Sequence, residues 1–260
     1  MQDAVMSGLF GALSNETRMN LISNNLANIN TTGYKRDRVS FQDTFLRLAT
    51  DYMPDPRVNL REKKLLPEGH VIAKPRLAKQ TIDMSQGSVQ PTGNALDLAI
   101  SGTGFFKVIT PQGVMYTRNG EFYRNADGLL VDTKGYPVAG GGGTVALPDK
   151  GKVTFGPDGR IFADSQLVGT LDMVKVQNEQ ALERFGQNYF TAAKGQTVTE
   201  QELGTNESEL MQGYLEKPNV EVVTEMVNMI ETQHSFEAYQ KAITGANDMD
   251  SSAMRVGQAS

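Results

Sequence analysis

The chain contains no cysteine and only two histidines among its 260 residues. The lack of cysteine excludes disulfides, thiolate zinc sites, iron–sulfur clusters and cysteine nucleophiles. His70 and His234 stand alone, without a His-Glu-x-x-His pattern or a third ligand nearby. Residues 102–104 and 140–143 are glycine-rich but lack the rest of the dinucleotide and P-loop motifs. We therefore expect no metal, no cofactor and no enzymatic activity.

Neither the charge nor the hydrophobic pattern indicates a nucleic-acid or membrane protein. The net charge of −5 disfavours a general affinity for nucleic acid. No apolar run approaches the ~20 residues that a membrane-spanning helix needs. Residues 1–13 lack a basic stretch followed by an apolar block, so we expect no cleavable signal peptide and no membrane insertion.

A long amphipathic helix is predicted from about Asp3 to Asn30. Apolar residues recur there every seven positions, which is typical of a helix that packs lengthwise against other helices. The polar run 28–32 and Gly33 are expected to end it, since glycine readily adopts the left-handed conformation of a helix C-terminus. The residues predicted to make helix contacts are Val5, Leu9, Ala12, Met19, Ile22, Leu26 and Ile29.

The other end of the chain repeats this pattern. A second helix is predicted from about Val220 to Met249, and Pro218-Asn219 is a suitable start. Two interpretations stay open: the helices serve assembly, or they cover an ordinary core. The residues predicted to make contacts in this helix are Val222, Met226, Met229, Phe236 and Ile243.

The middle of the chain, roughly residues 81–190, is typical of antiparallel β-structure. Short β-branched and aromatic runs alternate with turn signals, among which Asn119-Gly120 is the strongest hairpin signal. Further turns are expected at 111–113, between two predicted strands, at 125–128 and at Asp158-Gly159. Strands are predicted at Phe105–Ile109, Val114–Arg118, Glu121–Tyr123, Leu129–Val131, Val153–Phe155, Arg160–Ala163 and Thr170–Val176.

A connector is predicted between the first helix and the β-structure, and its four prolines are expected to disfavour regular structure there. Residues 34–80 carry eleven Lys or Arg against six Asp or Glu, whereas residues 197–260 carry eleven acidic residues against three basic ones. Two interpretations stay open here as well: these oppositely charged surfaces meet, within or between copies, or both are solvated. The predicted class is α+β, with a mainly antiparallel middle domain. The predicted domains are a terminal helical assembly domain (1–33 and 218–260), an extended connector (34–80) and a β-rich outer domain (81–217).

Several blocks of the sequence are collinear with a known family. The run from Leu21 to Arg36 closely resembles the N-terminal signature of flagellar basal-body rod and hook proteins. The signature residues are Asn24, Asn25, Leu26, Ala27, Asn28, Gly33 and Lys35. Further matching blocks lie at 90–100, 104–106, 116–120, 213–216, 219–220 and 225–230.

The resemblance implies a non-enzymatic structural subunit of the periplasmic axial drive shaft, which carries motor torque. It implies that the long N- and C-terminal helices pair as a coiled-coil-like domain lining the inner tube wall, with the β-domain outside. Implied partners are other copies of the chain, neighbouring flagellar rod proteins and the flagellar type III export apparatus. The implied localisation is the flagellar basal body, reached by export without a cleavable signal.

Within this family, residues 233–243 resemble proximal-rod members more than distal-rod members. The distal-rod position is the alternative, because most of the matching blocks are common to both groups. A more distant alternative is a carbohydrate- or peptidoglycan-binding β-domain protein. An enzyme acting on such a substrate would need two facing carboxylates in a cleft, and the spacing of acidic residues does not indicate them.

Overall fold

The computed structural model describes residues 2–47, 71–149, 151–203 and 208–258, and it has the predicted α+β fold. The helices are α1 (Gln2–Ala27) and α2 (Val222–Gln258), with a short 3-10 helix at Glu179–Ala181. The strands are β1 (Asp37–Arg47), β2 (Val71–Ile82), β3 (Val89–Pro91), β4 (Leu98–Gly102), β5 (Phe105–Thr110), β6 (Gly113–Thr117), β7 (Tyr123–Arg124), β8 (Leu130–Val131), β9 (Ala139–Gly140), β10 (Gly143–Thr144), β11 (Val153–Phe155), β12 (Arg160–Ala163), β13 (Gln166–Thr170), β14 (Met173–Val176), β15 (Leu182–Phe185), β16 (Tyr189–Ala192), β17 (Glu200–Glu202), β18 (Ser208–Gln212) and β19 (Tyr214–Glu216).

The described residues belong to two units. The helical unit takes in the described parts of 1–23, 39–80 and 226–260. The β unit takes in 24–38 and the described parts of 81–225. The β unit therefore includes the last turn of α1 and the first turn of α2. The three predicted domains, divided at residues 33, 80 and 217, have different limits from these two units. Their roles stay a prediction.

Both predicted helices are present, with shifted ends. At the C-terminal end of α1, the Asn28 side chain donates to the carbonyl of Asn24, and Gly33 has a φ of 68°. The α2 helix begins at Val222 and not at Pro218-Asn219. The Asn219 side-chain oxygen does not cap this helix because it accepts from the Arg36 N–H over 2.7 Å. Among the described helices, none is both long and apolar enough to cross a membrane.

A six-stranded antiparallel sheet, in the order β15-β16-β6-β5-β14-β17, forms the centre of the β unit. The predicted hairpin around Pro111 is confirmed, since Thr110 pairs with Gly113. Successive side chains of β5 point to opposite faces of the sheet. Phe106 joins a large apolar core with Leu98, while Phe105 joins a smaller one with Phe190.

The prediction of a hairpin turn at Asn119-Gly120 is wrong. Both residues are buried, and a Cβ atom on Gly120 would lie only 1.5 Å from the Leu98 carbonyl oxygen. The strands on either side, β6 and β7, belong to different sheets. Glycine is required here by close backbone approach and not by a tight turn. The turns at 125–128 and Asp158-Gly159 do join antiparallel pairs.

The predicted strand at Thr170–Val176 is divided in the structure. Thr170 ends β13, while Met173 begins β14. These strands lie in different sheets. The two residues between them mark the change of sheet.

The prediction that prolines keep the connector irregular is wrong for its described parts. The connector contributes β1 and most of β2, which form a two-stranded sheet, and Pro75 lies within β2. A strand with only one neighbour tolerates proline, because one of its edges needs no backbone donor. His70 and the basic residues Arg57, Arg61, Lys63 and Lys64 lie outside the described residues, so the predicted charge contact stays a prediction.

Candidate functional site

The predicted contact residues of α1 divide into buried and exposed groups. Ala12 and Ile22 are buried, and they mark the covered face of this helix. Leu9 is 45% exposed, so it lies outside this face. The half-buried residues from the predicted set are Val5, Met19, Leu26 and, just beyond the helix, Ile29.

The predicted contact residues of α2 divide in the same way. Met229, Phe236 and Ile243 are half-buried, whereas Val222 and Met226 are exposed. The half-buried three are spaced by seven, as the sequence pattern predicts. The start of α2 therefore retains apolar surface that the described part of the chain leaves exposed.

Two glycines of α1 lie directly against α2. A Cβ on Gly8 would lie 3.0 Å from the Ile243 side chain, and one on Gly11 would lie 2.5 Å from the Tyr239 ring. Moving forward along α1 therefore corresponds to moving backward along α2, as in antiparallel neighbours. Small residues at such positions allow two helices to approach closely.

An apolar face remains exposed on each helix. On α1 it consists of Met6, Leu9 and Leu13, spaced by three and four residues. Such spacing places side chains on one side of a helix. On α2 the exposed face consists of Val223, Met226, Val227 and Ile230. We call these two sets of residues the exposed helix faces.

The family signature lies at the end of α1, where Asn25 makes three buried hydrogen bonds. Its Nδ2 donates to the Asp37 carbonyl over 3.0 Å, and its Oδ1 accepts from the Asp37 N–H over 2.9 Å. The Tyr34 hydroxyl donates to the same oxygen over 3.0 Å. An asparagine side chain can serve a backbone donor and acceptor together, which an aspartate cannot. Asn25 thus fixes the chain that follows α1 against the helix end.

Lys35 is the most deeply engaged residue of the signature. Its Nζ lies 2.6 Å from Oε1 of Glu216, and both side chains are only 1% exposed. Nη1 of Arg118 lies 3.2 Å from the other carboxylate oxygen of Glu216. Burial lowers the pKa of both Lys35 and Arg118, although the Glu216 carboxylate opposes that shift. We call these three residues the Glu216 cluster.

A second set of contacts lies beside this cluster. The Arg36 N–H donates to Oδ1 of Asn219 over 2.7 Å, and Nδ2 of Asn219 donates to the Asp83 carbonyl over 2.8 Å. The Arg36 guanidinium pairs with the Asp83 carboxylate, as does that of Arg38. These bonds connect the segments after α1 and before α2 to the segment between β2 and β3.

Tyr34 and Arg184 complete the site. The Arg184 guanidinium lies over the Tyr34 ring at 4.4 Å and pairs with the Asp37 carboxylate at 3.0 Å. Arg184 also donates to the Lys35 carbonyl. Burial raises the pKa of Tyr34 to about 12. These contacts attach the signature segment to the edge strand β15.

The other signature residues have mainly conformational roles. Gly33 has a positive φ, and a Cβ there would lie 2.3 Å from the Asn119 nitrogen. Asn28 closes the helix end, while Asn24 and Ala27 are exposed and Leu26 is half-buried. The arrangement positions backbone segments.

Glu216, Arg118 and Asn219 lie within the matching sequence blocks, but the sequence alone assigns them no role. Asp37, Asp83 and Arg184 carry no sequence signal that marks them. No local pattern joins Glu216 with Lys35, because 181 positions separate them. The available signal was an acidic residue and a basic residue placed symmetrically beside the two helices.

Comparison with known proteins identifies three family segments in the order expected from the resemblance. Residues 11–35 match the model described as flagella basal body rod protein. Residues 99–163 match the flagellar hook protein FlgE/F/G D1 domain. Residues 211–256 match the flagellar basal body rod FlgEFG protein C-terminal region. The first and last segments contain Lys35 and Glu216.

Full-length relatives give the deciding observation. The chain is 34% identical to flagellar basal-body rod protein FlgG of Buchnera aphidicola subsp. Schizaphis graminum, over 92% of this chain and 94% of that protein. The chain belongs to the flagellar basal-body rod protein family. It is 35% identical to FlgG of Agrobacterium fabrum, over 93% and 94% of the two chains. It is 30% identical to FlgF of Caulobacter vibrioides, over 99% of both.

Membership in this family gives the chain its function. The protein is a structural subunit of the flagellar basal-body rod, which confirms the prediction from the resemblance. It is located in the basal body and assembles with other rod components. The Glu216 cluster and the exposed helix faces are therefore parts of an assembly protein.

Proposed function

We propose that the terminal helices form a coiled-coil-like pair and that their exposed faces bind neighbouring subunits of the rod. The observation that carries this proposal is the contact of Gly8 and Gly11 with α2, combined with apolar faces left uncovered on both helices. Apolar side chains repeated along a helix gain free energy when a neighbour removes them from water. In the assembled rod these helices line the inner wall, and the β unit lies outside.

We further propose that the subunit occupies the proximal rod and transmits torque without catalytic activity of its own. The supporting feature is the sequence of residues 233–243. The distal position is the alternative, since relatives named FlgG and FlgF both align over nearly the whole chain. Export through the flagellar type III apparatus delivers the chain to the periplasmic rod. Nucleic acid and membrane insertion have no part in this role.

Charge placed on an exposed helix face tests the proposal. The variant Met226→Asp/Ile230→Asp adds two carboxylates to the α2 face, where a bound neighbour would bury them without partners. The matched control, Gln233→Asp/Gln240→Asp, adds the same charge at polar, exposed positions of the same helix. Each variant replaces the native gene in the bacterium that encodes the chain.

We expect the face variant to accumulate and retain its β-structure while the cells fail to build rods or swim. The control should swim normally. Normal rods containing the face variant would contradict the proposal. Position within the rod is tested separately, by locating the chain in isolated basal bodies.

A further inference from the structure

The Glu216 cluster joins the two places where the chain passes between the β-structure and the terminal helices. Lys35 follows the end of α1 at Ala27, and Glu216 precedes the start of α2 at Val222. We infer that Glu216 is a positioning residue that fixes the spacing of these two segments and thereby the geometry of the assembled rod. The inference rests on the proposed role of the helices in assembly.

Direct backbone contact accompanies the side-chain link. The Gly33 N–H donates to the Glu216 carbonyl over 2.9 Å. The chain between β2 and β3 also lies against the segment before α2, since a Cβ on Gly87 would be 1.9 Å from the Lys217 carbonyl oxygen. The two segments are thus in contact at their main chains as well as through the ion pair.

Both oxygens of the Glu216 carboxylate are used. Oε1 accepts from Nζ of Lys35 and, over 2.9 Å, from the Gly87 N–H. Oε2 accepts from Arg118, whose guanidinium also donates to the carbonyls of Ile100 and Gly102. A displacement of either segment would leave a buried charge without its partner, since water does not reach the site. Directional bonds at a buried site therefore specify one arrangement.

Asn219 repeats the connection outside the cluster. Its Oδ1 accepts from the Arg36 N–H, and its Nδ2 donates to the carbonyls of Asp83 and Ser85. Ser85 also accepts from Nζ of Lys35, so the two connections meet at one carbonyl. Asn219 is half-buried, which makes it a second and less demanding place to test the inference.

The experiment must separate positioning from stability. The variant Lys35→Met/Glu216→Gln removes one positive and one negative charge, so Arg118 remains and the net buried charge is unchanged. The new amide oxygen can still accept from Gly87, and the Ser85 carbonyl keeps its bond from Asn219. The comparison is Val108→Ala, a core truncation within the β unit. Growth temperatures are chosen so that both chains have the same folded fraction.

Basal bodies isolated from each strain are imaged to measure the rise and twist of the rod, and motility is recorded. Asn219→Ala and the conservative Lys35→Arg are measured in parallel. We expect altered twist and reduced motility in Lys35→Met/Glu216→Gln and, more weakly, in Asn219→Ala. Val108→Ala and Lys35→Arg should give the native twist.

Native twist in both Lys35→Met/Glu216→Gln and Asn219→Ala would overturn the inference, as would equal changes in Val108→Ala. If the double variant does not fold, Asn219→Ala decides: an altered twist supports the inference, and the native twist overturns it. These outcomes leave the proposed function intact, because the chain is still found in the rod. Absence of the wild-type chain from isolated rods would overturn both.

Discussion

Nζ of Lys35 lies 2.6 Å from Oε1 of Glu216, although 181 positions separate these residues in the sequence. One residue lies just after the first long helix and the other just before the last. Within the β unit, the ion pair therefore links the segment that follows α1 to the segment that precedes α2. Arg118, which also pairs with Glu216, directly follows β6, so the central sheet is connected to these two segments.

Removing the carboxylate of this pair should strongly destabilise the β unit. Glu216→Ala leaves Lys35 and Arg118 buried without an anion, a change that typically costs about 3–5 kcal/mol. Urea unfolding followed by circular dichroism in the β region measures the loss. The control is Arg160→Ala, which breaks a pair with Asp158 in which the arginine is 60% exposed. That change should cost about 0–1 kcal/mol, and equal losses would contradict the buried role of Glu216.

An isosteric change at Asn25 should also be costly. Asn25→Asp loses the donor to the Asp37 carbonyl and turns a carboxylate toward that oxygen, so we expect a loss of about 1–3 kcal/mol or more. Asn24→Asp is the control, since this exposed oxygen accepts from Asn28 and an aspartate can accept equally well. The free energy of unfolding should change there by less than about 0.5 kcal/mol. A smaller effect at position 25 than at 24 would refute the assignment.

Alanine substitutions at two glycines with similar backbone angles distinguish the cost of backbone strain from the cost of a steric clash. Gly33 has a φ of 68° and Gly93 a φ of 77°, but no atom lies within 4 Å of a Cβ placed on Gly93. Alanine at either position pays about 1–2 kcal/mol for the left-handed conformation. Gly33→Ala must also displace the Asn119 backbone, so its melting temperature should fall further. Equal melting temperatures would show that the contact is unimportant.

Alanine substitutions in the helices test whether α1 and α2 pack together. Gly245→Ala meets no neighbouring atom and should stabilise α2 by roughly 0.5–1 kcal/mol. Gly11→Ala brings the same gain in helix propensity but displaces the Tyr239 ring, so the helical signal should melt at a lower temperature. A stabilising effect of both substitutions would mean that the two helices do not pack as described.

Much of the architecture could be predicted because it depends on local patterns. The seven-residue spacing identified both helices, and the turn at Pro111 identified a hairpin. Sequence could not decide which side of each helix is covered, because Leu9 and Ala12 carry similar apolar signals while only Ala12 is buried. That distinction depends on where the partner helix lies.

The Glu216 cluster could not be predicted for a related reason. Its bonds join residues far apart in sequence, and each residue type is common on protein surfaces. Asn119-Gly120 shows the reverse problem: a strong local turn signal was overridden by tertiary packing against Leu98. The strand at Pro75 likewise depends on its position in a two-stranded sheet.

A density map of the intact basal body tests the central claim most directly. The account predicts that this chain occupies the rod, that α1 and α2 line its inner wall, and that Met226 and Ile230 contact an adjacent subunit. The β unit should lie outside, with Lys35 and Glu216 still paired. A rod without this chain, or one in which the exposed helix faces contact only water, would contradict the account.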